Sequence, residues 1–269
     1  MAGPSGGWRD ANHRAADQTF RDTRSGGQPG ATFRATHRRG FGRIRLQRRG
    51  NRRPGGGRRD PSRRHPKHGD SAMSAIEIIR EGAVATVFLN APERMNAMNL
   101  EMFEGIGRAM ADLDADHDLR CVMFRGAGGK AFAAGADISE FAAKRSTRDQ
   151  AVAYAAVSNP ALEAVQGCRH PTVAVIEGAC VGGGLGLAAM CDLRLCNQSA
   201  RFGVPIKRLG LVESPEELRP LVAKFGVNVL MEILLLGDLM DAEAALRTGL
   251  VNKVVADDAL DDEAAKWAR

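Results

Sequence analysis

The chain has 269 residues, 44% of them hydrophobic, enough for one large domain or a medium domain with a tail. Its net charge of +6 hides two halves of opposite sign: residues 1–72 carry 17 Arg and 1 Lys against 5 Asp, and the remainder has 20 basic against 27 acidic side chains. The average basicity therefore says nothing about partners of the acidic part. No apolar run reaches the ~18 residues of a membrane span, and no apolar N-terminal stretch marks a signal peptide.

Residues 1–72 hold 13 Gly and almost no aliphatic periodicity. Such a segment cannot bury enough apolar surface to offset chain entropy, so it is expected to be disordered. Three readings stay open for it. It is translated upstream sequence with the natural start at Met73, or a basic arm that neutralises RNA or DNA phosphates, or an organellar presequence, against which the five Asp count.

After Met73 the pattern changes at once. Short apolar runs at 76–80 and 84–90, separated by Glu81-Gly82, predict a hairpin. Ala91-Pro92 ends the second run. Asn99 caps a helix to about Leu113, with Leu100, Phe103, Ile106 and Met110 at helical spacing. A strand at 121–124 ends at Gly126, and a Gly/Ala-rich loop follows to Asp137. Thr147 and Gln150 form a capping box for a helix to about Gln166. Strands are expected at 171–176 and 192–196, on either side of an apolar helix at 185–190. Ser214-Pro215-Glu216-Glu217 opens a further helix, with a Ser cap, Pro in the first turn and Glu three residues after the cap. The last helix begins near Asp258. Strands alternating with helices predict an α/β fold with its site on the loops after strands.

All five cysteines, Cys121, Cys168, Cys180, Cys191 and Cys196, lie in this later part without a C-x-x-C pair. Four of the six histidines lie in the tail, so no metal site with zinc spacing is expected, and reduced buried thiols are. His117, in an acidic stretch, reads as solvated and His170, before a strand, as structural; Asp192 reads as a strand-start residue.

Two glycine-rich loops carry the functional signal. The first is Lys130 to Ile138, the second Glu177 to Gly186 with Gly182-Gly183-Gly184 at its centre. Small residues let a ligand lie against the backbone, and the first N–H groups of a helix have no internal partner. Two such loops can aim two donors at one oxygen and so form an oxyanion hole. The competing reading is close helix-on-strand packing. A dinucleotide site matches Gly184-x-Gly186-x-x-Ala189 loosely but lacks its acidic residue downstream. A P-loop fails because Gly129-Lys130 has neither the earlier Gly nor the following Ser/Thr.

The ordered set Asn96-Ala97-Met98, Lys130 to Ile138, Pro171 to Gly184, Cys191-Asp192-Leu193 and Phe202-Gly203-x-Pro205 resembles the enoyl-CoA hydratase/isomerase (crotonase) superfamily, from about Ile76 to Ala268. The resemblance implies an α/β spiral of repeated ββα turns, assembled as trimers or hexamers. It implies a cytoplasmic acyl-CoA thioester enzyme without metal or redox cofactor, coenzyme A arriving as part of the substrate. By resemblance, the N–H groups of Ala136 and Gly183 form the oxyanion hole. Ala134, Asp137 and Ile138 match positions lining the coenzyme-A cleft, and Gly182 and Pro205, in the same matched segments, are expected to contact substrate or coenzyme A as well. Arg94 and Met95 lie where the family also contacts the coenzyme; a solvated loop charge is the other reading of Arg94. The family's C-terminal helices largely fall beyond this chain, so 73–257 is expected to be the core and 258–269 the start of a truncated helical region.

The family's hydratases place one glutamate two residues after the third loop glycine, here Gly186, and another directly after the proline of the Phe-Gly-x-Pro segment, here Ile206. Neither can activate water or protonate carbon. The family's isomerases use one carboxylate, often in the loop before the next helix, at a position that aligns here with Ser214, next to Glu213. Ser214 and Glu217 are explained by the capping box, and Glu213 is left as the candidate acid/base, with an exposed loop acid as its plain reading. The alternative to an enzyme is a non-catalytic acyl-CoA-binding relative.

Overall fold

The structure, a computed structural model, describes residues 74–269; the expectations for residues 1–72 lie outside the described residues. The expected hairpin forms from β1 (Ile76–Glu81) and β2 (Val84–Leu89), turning at Gly82 with φ +60°. Ala85, Val87 and Leu89 alternate inward, the period of a strand with one face on the core.

From β2 the six-stranded sheet continues in parallel through β3 (Cys121–Gly126), β5 (Thr172–Ile176), β7 (Leu193–Asn197) and β10 (Lys253–Val255). A second sheet of four strands joins β4 (Ala131–Ala133), β6 (Ala179–Val181) and β8 (Arg201–Gly203) in parallel, with β9 (Met240–Asp241) antiparallel at its edge. The helices are α1 (Leu100–Ala115), α2 (Phe141–Lys144), α3 (Arg148–Gln166), α4 (Gly183–Met190), α5 (Ile206–Leu209), α6 (Pro215–Phe225), α7 (Val227–Met231), α8 (Ala242–Arg247) and α9 (Leu260–Trp267). The chain thus lays one strand in the first sheet, one in the second, then a helical passage, and repeats: β3-β4, β5-β6 and β7-β8 are successive turns of an α/β spiral built from ββα units.

The second sheet departs from the sequence expectation, which leaves 126–137 as one loop and assigns no strand at 179–181 or 201–203. These strands are two or three residues long and made of small residues, too short to display a period of two. Pairing across the spiral makes them strands.

Local signals hold where they rest on capping. Asn99 Oδ1 accepts the Met102 N–H at 2.9 Å, and the boxes Thr147/Gln150 and Ser214/Glu217 are both complete. Helices α1 and α3 cover one face of the large sheet, with Gly107 of α1 close to Ala161. Strand β5 is buried throughout: Ala174 and Ile176 enter the main core, while Val173 and Val175 meet Leu260 and Ala264 of α9 on the opposite face. A parallel sheet covered on both faces has this continuous apolar run. The last helix is therefore docked on the core sheet.

Arg194 is buried and ties three elements together. Its Nε donates to Leu250 O at 2.7 Å, its Nη1 to Cys191 O at 2.9 Å, and its guanidinium lies 5.5 Å from the Phe225 ring. Asp192 accepts from the N–H and hydroxyl of Thr172, which aligns the starts of β5 and β7. His170 is buried with Nε2 unpartnered among the described residues, and His117 lies at the surface beside Arg169. All five cysteines are free thiols, four of them buried.

Candidate active site

Two short segments run side by side at the end of the first spiral turn. Ala134 N–H donates to Met95 O at 3.0 Å, Met98 N–H to Gly135 O at 2.7 Å, and Asp137 N–H to Met98 O at 2.9 Å. The pattern is that of a parallel bridge between Met98 and Ala136. In such a ladder alternate N–H groups face away from the partner strand, and Ala136 N–H has no acceptor among the described residues.

Asn96 holds this arrangement from below. It is wholly buried; its Nδ2 donates to Ala131 O at 2.8 Å and Ala127 O at 3.0 Å, and its Oδ1 accepts the Ala91 N–H at 3.0 Å. Met95 and Asn96 both have positive φ, +53° and +56°. Left-handed residues other than Gly cost on the order of 1 kcal/mol each and need surroundings that impose them. The three Asn96 bonds supply that restraint.

The second loop enters at Gly182, whose φ of +52° with ψ of −122° is open only to glycine. Gly182 N–H is anchored on Gly203 O at 2.8 Å, which joins the loop to the segment leading to Pro205. Gly183 opens α4, and its N–H has no acceptor among the described residues. A Cβ on Gly183 would lie 3.4 Å from Ala136 N, so the two unpaired donors are neighbours. Ala136, Gly182 and Gly183 remain partly open to solvent, while Gly135 and Gly184 beside them are buried. Gly184 is forced by packing: a Cβ there would fall on Ala133 O and within 2.8 Å of Ala133 Cβ. One helical step later, a Cβ on Gly186 would meet nothing within 4 Å.

Of the cleft positions, Ala134 and Met95 are bonded to each other and Ile138 is exposed at 38%. Arg94 is no free loop charge: it is ion-paired with Asp137, and at 3.3 Å with Glu93. Burial pushes the Asp137 carboxyl up, but bonds from the Ser139 hydroxyl and N–H and the Arg94 charge prevail and hold it below its ordinary value. Its oxygens are thus already engaged in fixing the loop.

Glu213 is half-buried just before α6. Burial first, then the charge of Glu217 and a hydrogen bond with it, push its carboxyl up to about 7, against a smaller pull from Arg145. Glu217 is held by the capping box, its Oε2 accepting Ser214 N–H at 2.9 Å. Arg145 lies over the rings of Phe141 at 4.7 Å and Tyr154 at 4.9 Å, and burial pushes the Tyr154 phenol up to about 12. Ile206 starts α5, partly buried against the core, and brings no ionisable group to this side. A cavity of about 220 Å³ lined by Met110, Asp114 and Gly167 lies between α1 and α3 and involves none of these residues. Among the described residues no His, Cys, Asp and Glu cluster could hold a metal ion, and no helix is long and apolar enough to cross a membrane.

Sequence reasoning treats Asn96 and Met98 as motif markers without a task, and assigns no role to Arg145 or Tyr154. Their contacts span distant segments, so spacing carries no trace of them.

The fold and the paired loops define an α/β protein of the ββα-spiral class with a backbone-lined site. The pattern of the family described as Enoyl-CoA hydratase/isomerase matches residues 79–269. A probable enoyl-CoA hydratase of Rhizobium meliloti (strain 1021) is 36% identical over 184 residues, covering 68% of this chain and 70% of the relative. The (E)-benzylidenesuccinyl-CoA hydratase of Thauera aromatica is 35% identical over 185 residues, covering 69% and 71%. Among solved structures, an enoyl-CoA hydratase/carnithine racemase from Magnetospirillum magneticum is 48% identical with a TM-score of 0.72, covering 73% of this chain and 74% of that one. The chain belongs to the enoyl-CoA hydratase/isomerase family, within the crotonase superfamily.

Proposed function

We propose that this protein acts on acyl-CoA thioesters by stabilising an enolate between the N–H groups of Ala136 and Gly183, with Glu213 carrying the proton. The observation that supports this reading is the pair of neighbouring N–H groups without acceptors, partly open to solvent, one of them at the start of α4. Donors fixed in advance, with a helix N-terminus behind them, stabilise oxygen as it gains charge.

In the proposed step the Glu213 carboxylate removes a proton from the carbon next to the thioester carbonyl of a 3-enoyl-CoA. The C–H electron pair moves into the thioester, and charge develops on the oxygen held by the two donors. Glu213 then returns the proton to carbon 4, and the double bond moves into conjugation. A group titrating near 7 serves as base and acid in turn at neutral pH. Hydration would need one group to activate water and another to protonate carbon; Gly186 and Ile206 supply neither. The reading therefore favours isomerisation over hydration.

Assembly with further copies of the chain belongs to the same proposal. Val227, Met231, Leu235 and Leu236, all exposed on the helical side after α6, support it.

The test is NMR of 3-hexenoyl-CoA and of crotonyl-CoA in D₂O with the full chain. Conversion of the first to 2-hexenoyl-CoA, with no 3-hydroxyacyl product, is expected. Formation of 3-hydroxyacyl-CoA would overturn the one-carboxylate scheme. No change in either substrate, with acyl-CoA still bound, would favour the binding-only relative.

A further inference from the structure

Met98 is wholly buried where the two donor loops meet. Its main chain brackets Ala136: the Met98 N–H donates to Gly135 O and the Met98 carbonyl accepts from Asp137 N–H, at 2.7 and 2.9 Å. The peptide carrying the Ala136 N–H cannot turn without breaking one of these bonds. The side chain of the same residue reaches the other loop. Its Cε lies 3.0 Å from where a Cβ on Gly183 would stand, so the thioether methyl rests against the Gly183 backbone. One residue thus fixes one donor through its backbone and backs the other with its side chain.

The second loop needs that backing. Gly182 and Gly183 have no side chains to pack, and glycine gives up more conformational freedom on ordering than any other residue. Gly182 is anchored on Gly203, but the Gly183 N–H is tied to nothing on its own side. An unbranched thioether suits the gap, because it adapts its shape to irregular space.

We propose that Met98 is a positioning residue whose side chain sets the separation of the Ala136 and Gly183 donors, and so the strength with which they polarise a thioester carbonyl. This inference rests on the donor-pair reading of the site. Substitution leaves the backbone bonds of Met98 in place and alters only the support behind Gly183. Complete loss of one such donor costs about 10²–10³-fold in rate, so displacement of one is expected to cost roughly 10-fold.

The test uses the full chain with hexanoyl-CoA labelled with ¹³C at the carbonyl, read by infrared difference spectroscopy alongside turnover of 3-hexenoyl-CoA. Bound to the unsubstituted protein, the carbonyl stretch is expected to move to lower frequency. Met98→Ala is expected to lose about half of that shift and roughly 10-fold in kcat, with KM within about twofold. Met98→Leu, of nearly the same volume, is expected to keep both. Met110→Ala, in an equally buried Met on α1, removes similar core volume and is expected to leave the shift unchanged. Should Met98→Ala fail to fold, Met98→Val makes the same comparison with a smaller void. A full shift in the folded Ala or Val variant, or an equal loss in Met110→Ala, overturns the role of Met98. No shift in the unsubstituted protein overturns the donor pair itself.

Discussion

Residues 94–98 and 134–137 are joined by three main-chain hydrogen bonds and an ion pair, with Asn96 buried beneath them. Residues 204–214 carry the acid/base candidate, Glu213, and hold themselves largely by local bonds, Ile206 N–H to Val204 O and Leu211 N–H to Ile206 O among them. Val212, next to Glu213, is 92% exposed. In the proposed function the first region works through backbone N–H groups, which any side chain leaves intact provided the chain can reach the required conformation. In the same proposal the second works through one carboxylate, which a single substitution removes. In the reading proposed above, a family can keep its donor loops while its acid/base groups change, the resemblance aligning Gly186 and Ile206 with the glutamates of hydratases.

The contrast can be broken most sharply at Glu213. Glu213→Gln keeps the shape of the side chain and removes its proton transfer, and turnover is expected to fall by about 10²–10⁴-fold with acyl-CoA affinity kept. An unchanged rate in steady-state kinetics would move the chemistry elsewhere. On the backbone side the damage should appear as stability. Gly184→Ala drives a Cβ into Ala133 and is expected to cost about 1–3 kcal/mol or more, read as a lower midpoint in urea.

The raised Glu213 carboxyl gives a pH signature. Between its ordinary value of 4.5 and about 7 the folded chain holds the proton that the unfolded chain has released. Its contribution to stability is therefore present at low pH and lost as pH rises through that window. Glu213→Gln removes this slope, and the variant should gain on the parent by on the order of 1–3 kcal/mol between pH 5 and pH 8. Parallel urea midpoints across pH for both proteins would contradict the burial of this group. The smallest effect is expected two residues from Gly184. Gly186→Ala, in open space within α4, should stabilise by about 0.5–1 kcal/mol, measured as a rise in Tm, where Gly184→Ala does the reverse.

Much of this was legible in the chain itself. Caps at Asn99, Thr147 and Ser214 are local, since donor and acceptor are three residues apart, and all three form as expected. Five strands of the six-stranded sheet, β1, β2, β3, β5 and β7, were legible too from their short apolar stretches, while β10 was not, its three residues opening on Lys253. The four-stranded sheet was not: Ala131–Ala133 or Ala179–Val181 carries no pattern that separates it from a loop.

The sequence by itself determined the turns, caps, large strands and spacing of the two glycine loops, because each rests on the conformational limits of a few neighbouring residues. Only the tertiary structure decided that Ala136 and Gly183 face each other, that Arg94 is bound to Asp137, that Met98 stands between the loops and that Glu213 is pressed against Glu217. Those relations join residues 4 to 85 positions apart, and their strength comes from burial and close approach, which exist only once the spiral has closed.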